Sequence, residues 1–228
     1  MTASTIGVAA AGLIGGLLAG LMLTPRLTTL GHRYADEVDV RVMSFRWVPV
    51  VTALAAGLVG AAQTSVGGIV QGLVYAALTV PLIVLAAIDL DVHRLPDRWT
   101  GPTFVAALAG LLVVSIVRHQ WHSLLIAVCC AAGVALFYLI IALIAGGQGF
   151  GLGDVKLSPT LGLLLGFNGV AQAVLGVFAG FLSGAVLAII LILFRGATRK
   201  TAISFGPHMI LGALLVLALP LVGAVSQH

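Results

Sequence analysis

The sequence predicts an all-α, polytopic membrane protein with about eight transmembrane helices, and three observations predict it. Of the 228 residues, 61% are hydrophobic and 8% charged, against roughly 25% charge in a soluble domain. The apolar residues gather into segments near bilayer-spanning length. The charges cluster at one side once those segments are threaded. A soluble fold of this size could neither bury that apolar surface nor stay dissolved on so little charge. That excludes a soluble enzyme, a DNA-binding protein and a disordered chain.

Eight segments follow in order. A spanning helix takes about 20 apolar residues, within roughly 17 to 25. The candidates are Ile6 to Leu23, Trp47 to Ala62, Ile69 to Ile88, Pro102 to Val117, His122 to Ala145, Val155 to Leu165, Val170 to Phe194 and Phe205 to Val225. Turn residues separate several of them: Thr64-Ser65, Gly67-Gly68, Arg118 to Gln120, and Gly166 to Gly169. The first segment reads as a retained helix rather than a cleaved signal, because its basic residues, Arg26 and Arg33, follow it. Residues 1–228 read as one membrane-embedded domain, with 24–46 a short cytoplasmic loop. Cys129 and Cys130 are neighbours in an apolar helix and point about 100° apart, so packing is their expected role.

The charges orient the chain. With both termini outside, the inner loops are 24–46, 89–101, 146–154 and 195–204. Ten of the eleven basic residues then fall in or beside them, and only Arg118 lies outside. This is the positive-inside pattern of a cytoplasmic membrane protein, and it explains the net charge of +4 without a nucleic-acid partner. All seven acids, Asp36, Glu37, Asp39, Asp89, Asp91, Asp97 and Asp154, lie on the same side. Any acid–base chemistry is therefore expected there.

One segment is short. Val155 to Leu165 has 11 residues, about 17 Å of helix, against a hydrocarbon core about 30 Å thick. If its outer turn reaches the surface, Asp154 lies below the inner surface. The run Gly146-Gly147-Gln148-Gly149-Phe150-Gly151-Leu152-Gly153 would then dip inward as irregular backbone. An ionisable residue at depth is a functional candidate. Asp89 closes the third segment, 65 positions earlier. Two carboxyls facing one another across a wet cleft do not readily both ionise. One keeps its proton while the other acts as base, which suits attack of water on a peptide carbonyl.

The neighbours have plainer readings. Alone, Asp89 would be an interfacial helix-end residue. Asp91 is turned about 200° from Asp89 on a continuing helix. Asp97, after Pro96, is expected to cap the fourth span, and His93 to be a solvated loop histidine. Lys156 could snorkel to the surface, or hold a carboxylate or a substrate carbonyl, and both readings stay open.

At these residues the chain resembles the type IV prepilin peptidase family of GxGD intramembrane aspartic proteases. The pattern Ile-Asp-Leu-Asp-x-x-x-Leu-Pro-Asp is matched by Ile88 to Asp97, with Thr100 following, and Gly-x-Gly-Asp-Val-Lys-Leu by Gly151 to Leu157. A weaker match is Phe205-Gly206-Pro207, with Gly212 after it. The resemblance covers the chain from about residue 47 onward. It implies the GxGD fold, with Asp89 and Asp154 as the catalytic pair and Gly151, Gly153, Lys156 and Pro96 beside the substrate. It also implies cleavage of pilin-like precursors at the cytoplasmic face, before their apolar helix and usually after a glycine. Many bacterial members carry a cytoplasmic insert with paired CxxC motifs after the first helix and N-methylate the new N-terminus. Here residues 24–46 hold no cysteine, so a peptidase-only member is expected. The loop residues Tyr34, Asp36, Glu37 and Asp39 could touch a basic leader, although a solvated linker is the simpler reading.

No metal and no organic cofactor is expected, and the expected partners are pilin-like precursors and membrane lipid. Two rival classes stay in view. Asp89-x-Asp91-x-His93 could hold Mg²⁺ in a membrane transferase acting on a lipid phosphate, which sensitivity to chelators would favour. Buried aspartates could also carry protons in a transporter, but no internal repeat is visible.

Overall fold

The protein is described here from a computed structural model, over residues 2–29, 43–145, 151–195 and 204–225. Every regular element among them is helical: α1 (Ala3–Thr28), α2 (Val48–Val92), α3 (Asp97–Arg118), α4 (Trp121–Ile144), α5 (Leu152–Phe167), α6 (Val170–Arg195) and α7 (Gly206–Val225). Five of these, α1, α2, α3, α4 and α6, are long and apolar enough to cross a membrane.

Seven helices appear where eight segments are expected, and the difference lies in α2. This helix has 45 residues, about 67 Å if straight at 1.5 Å per residue, roughly twice the hydrocarbon core. It is not straight. Gly68 takes φ 74° and ψ −178°, a conformation that only glycine adopts cheaply. The two legs then run antiparallel. A Cβ on Gly60 would come within 3.0 Å of the Ala76 Cβ, and Gln71 Nε2 donates to Gln63 Oε1 at 2.9 Å. The second and third segments are thus the legs of one hairpin. Helix continues through Thr64-Ser65, and the break falls at Gly68. Inside that helix the Thr64 and Ser65 hydroxyls are satisfied by the Gly60 and Ala62 carbonyls, both at 2.7 Å.

Small residues let the helices touch. The buried face of α1 carries Gly12, Gly16 and Gly20, one turn apart. Their absent side chains admit the α2 backbone at Ala56, Thr52-Ala53 and Pro49 respectively. Close approach of this kind is the main source of helix association in lipid. Gly162 of α5 does the same for α4: a Cβ there would stand 2.8 Å from the Cys130 carbonyl oxygen and 3.0 Å from the Ala131 Cα. Cys130 also covers Gly166. Both cysteines are free thiols, and the packing role holds for Cys130, while Cys129 is exposed.

α5 is the inner helix. Its residues from Leu157 to Phe167 are almost all buried, and α3, α4, α6 and α7 all contact it. Its start differs from the expected one: α5 begins at Leu152 and has 16 residues, not 11. Leu152 and Gly153 are therefore helical rather than irregular, and Asp154 stands inside the first turn. Residues 146–150, the rest of the expected irregular run, lie outside the described residues. So do Tyr34, Asp36, Glu37 and Asp39.

At the bundle end away from the aspartates, buried polar groups join three helices. Tyr75 Oη donates to the Leu164 carbonyl at 2.6 Å. Asn168 Nδ2 donates to Tyr75 Oη at 3.2 Å, and Gln63 Nε2 to the Leu217 carbonyl at 2.8 Å. The Arg118 guanidinium bonds the Gly67 carbonyl at the hairpin tip. These bonds tie α2, α5 and α7 together, the same three elements that meet at the opposite end.

Candidate active site

Asp89 lies one turn before the end of α2, and Asp154 is the third residue of α5. Both are buried, at 4% and 7% exposure. Asp154 sits behind the N-cap Gly151. Its backbone N–H donates to the Gly151 carbonyl at 3.1 Å, and its carboxyl accepts a hydrogen bond from the Gly151 backbone. That is the reciprocal half of a capping box, and it puts a carboxyl at the positive end of the α5 dipole.

Asp89 is held from α7. Its Oδ2 accepts the Ser204 hydroxyl and, at 3.1 Å, the Gly206 backbone N–H. Gly206 is the first residue of α7, so this N–H is one that the helix itself leaves unpaired. The two carboxyls meet beside the same glycine. A Cβ on Gly206 would lie 2.5 Å from Asp89 Oδ2 and 3.3 Å from Asp154 Oδ1. Their separation is bounded by those two distances together. Residues 65 positions apart in the chain thus border one small space.

The other expected site residues lie at the starts of α3 and α5. Gly153 faces the link between α2 and α3, where a Cβ would meet the Leu95 Cβ at 3.0 Å and its backbone nitrogen at 3.2 Å. No larger residue leaves Leu95 that room. Pro96 is buried and is the extended N-cap of α3, at φ −69° and ψ 136°. Asp97 is therefore not the cap. It is the first helical residue, and both its oxygens accept from Lys156 Nζ, at 2.6 and 2.8 Å. With its two side chains 51% and 72% exposed, this pair clasps the start of α5 to the start of α3 at the surface.

Asp91 faces away from Asp89, as helical geometry requires. It is buried, and its Oδ1 accepts the Met43 backbone N–H at 3.1 Å, fastening the chain before α2 to the end of α2. His93 is the exposed αL cap of α2. Of the Asp89-x-Asp91-x-His93 set, Asp89 is held by the start of α7, Asp91 by Met43, and His93 is exposed. Among the described residues no three His, Cys, Asp or Glu side chains are grouped to hold a metal ion.

Sequence reasoning missed Ser204 and Tyr138. Tyr138 of α4 is buried and within electrostatic reach of Asp154. Its ring stacks on Phe181 of α6 at 5.8 Å and 7°, and Phe205 joins Phe181 at 5.0 Å. This aromatic group closes the α4–α6 side near the pair. Only the Phe205-Gly206-Pro207 motif pointed toward this region.

A helical membrane bundle that brings two buried carboxyls together at one end, each at a helix N-terminus, has the parts of an acid–base site. The model of the type IV leader peptidase family matches residues 76–193, a span that includes both aspartates. The chain belongs to that family. It is 30% identical over 146 residues to the prepilin leader peptidase/N-methyltransferase of Xanthomonas campestris pv. campestris, covering 64% of this chain and 50% of the relative. The Pseudomonas putida protein of the same name is 32% identical over 63% of this chain and 48% of its own. That of Aeromonas salmonicida is 31% identical over 75% and 56%. The chain spans about half the length of these curated relatives. No solved structure matches it.

Proposed function

We propose that the protein is a prepilin leader peptidase of the aspartic type, cutting the basic leader from type IV pilin-like precursors. The observation that carries this is the meeting of Asp89 and Asp154 beside Gly206, within a span that matches a peptidase family. The carboxyls share a proton. With a water and the scissile carbonyl between them, one carboxylate takes a proton from the water as its oxygen attacks the carbonyl carbon. The other carboxyl gives its proton to the carbonyl oxygen. On collapse the C–N bond breaks, the first carboxyl protonates the leaving nitrogen, and the second recovers its proton. No metal or organic cofactor takes part.

The site is assigned to the cytoplasmic face of the inner membrane by the basic residues at the same ends of the segments. The precursor's apolar helix lies in the bilayer and its basic leader in the cytoplasm. Gly151 and Gly153 form the rim that the substrate backbone crosses, with the buried Pro96 supporting it from behind. Lys156 reaches a substrate carbonyl or carboxylate by exchanging Asp97, to which it is only loosely held at the surface. With residues 24–46 free of cysteine, we assign cleavage without N-methylation.

The test is processing of a co-expressed pilin precursor. Asp89→Asn and Asp154→Asn are each expected to leave it uncut, with processing down at least about a thousandfold, as when a member of an interdependent catalytic set is lost. Full processing by either variant would overturn the assignment.

A further inference from the structure

The proposed mechanism needs the Asp89 carboxyl held in one orientation while water and substrate come and go. We propose that Ser204 and Gly206 are positioning residues that tie down Asp89 Oδ2 and so hold the Asp89 carboxyl in a fixed orientation beside Asp154. This rests on the aspartic-peptidase reading above and deepens it.

Two donors from the segment entering α7 converge on one oxygen: the Ser204 hydroxyl and the Gly206 N–H. A carboxylate oxygen has two lone-pair sites. With both occupied, Oδ2 is a poor place for another proton, and the carboxyl is anchored through that oxygen. The donors also fix the carboxyl plane, since a single bond would let the group turn about its Cβ–Cγ axis. Fixing a catalytic group in its working geometry removes a reorganisation cost from the transition state.

Gly206 has a second part. Its φ is not positive, unlike that of Gly68 and Gly169, so glycine is not required there by backbone conformation. It is required by space. A Cβ would stand 2.5 Å from Asp89 Oδ2 and 3.3 Å from Asp154 Oδ1. A methyl group would have to drive Asp89 off its donors or shift α7. The side of Gly206 that bears only a hydrogen is the side on which the two carboxyls approach.

The experiment uses the purified full chain and a purified pilin-type precursor. Ser204→Ala is expected to lower kcat about ten- to a hundredfold with KM unchanged, the range for one hydrogen bond to a charged group. Ser204→Thr, which keeps the hydroxyl, restores kcat to within about threefold. Gly206→Ala is expected to lower kcat about a hundredfold or more, with the thermal unfolding midpoint reported alongside. If Gly206→Ala does not fold, the Ser204 pair decides. The proposal is overturned if Ser204→Ala keeps kcat within about twofold of wild type, or if Thr fails to rescue it, while Asp89→Asn is inactive. If either Asp89→Asn or Asp154→Asn is fully active, the peptidase assignment itself has failed, which is a separate outcome.

Discussion

Lys156 and Asp97 divide two roles that one residue type can play at a site's edge. Their bond is short but exposed, and an exposed ion pair contributes about 0–1 kcal/mol. Replacing either by Ala should therefore shift the unfolding free energy by less than about 1 kcal/mol. The kinetics should separate them. If Lys156 contacts the precursor, Lys156→Ala raises KM several-fold while Asp97→Ala does not, and steady-state cleavage assays of the two variants check it. Asp154 stood out in the sequence because a short apolar segment puts an acid at depth, whereas Asp89 alone reads as a helix-end residue, and the family resemblance, not helical geometry, chose it over Asp91. Ser204 was not legible. A serine beside a basic loop carries no pattern, and its meaning arises only when α7 brings it to a residue 115 positions away. The capping role given to Asp97 failed for a local reason: Pro96 already supplies the extended backbone that an N-cap needs.

Among the elements, α5 bears most of the site's geometry. It is short, apolar beyond its first turns, and gripped at both ends. Gly162 and Gly166 set its distance from α4, and Tyr75 and Asn168 hold its far end to α2. Tyr75→Phe removes the Tyr75 hydroxyl from both bonds. The expected cost is about 0.5–2 kcal/mol, the range for hydrogen bonds between membrane helices, read by unfolding in detergent. The expected helix of 11 residues fell short because apolarity alone marked its start. The true first turn, Leu152-Gly153-Asp154, is stabilised by Asp154 answering Gly151 across the N-terminus. Likewise the two segments around Gly68 looked like separate helices. In composition a hairpin and a loop read alike, and contacts such as Gly60 with Ala76 and Gln63 with Gln71 show that the legs fold onto each other with helix kept almost to the tip.

On the scale of the whole molecule, the two ends of the bundle are chemically unlike. One holds Asp89, Asp91, Asp97, Asp154 and Lys156, the other the Gln63, Gln71, Tyr75 and Asn168 cluster with Arg118. His93 and His119 are αL helix caps at opposite ends. With the proposed orientation, a cysteine replacing His93 is labelled by a membrane-impermeant thiol reagent only in opened cells. One replacing His119 is labelled in intact cells. Both tests require a background in which Cys129 and Cys130 are alanine. The reverse pattern would invert the protein in the membrane and move the site to the outer face.

The central claim is that the carboxyl groups of Asp89 and Asp154 face one space. In the same cysteine-free background, Asp89→Cys and Asp154→Cys combined should be bridged within one chain by a short bifunctional thiol reagent in native membranes. Intact-mass measurement would then show one added bridge and no free thiol. Two separately capped thiols and no bridge, at any reagent concentration, would contradict it.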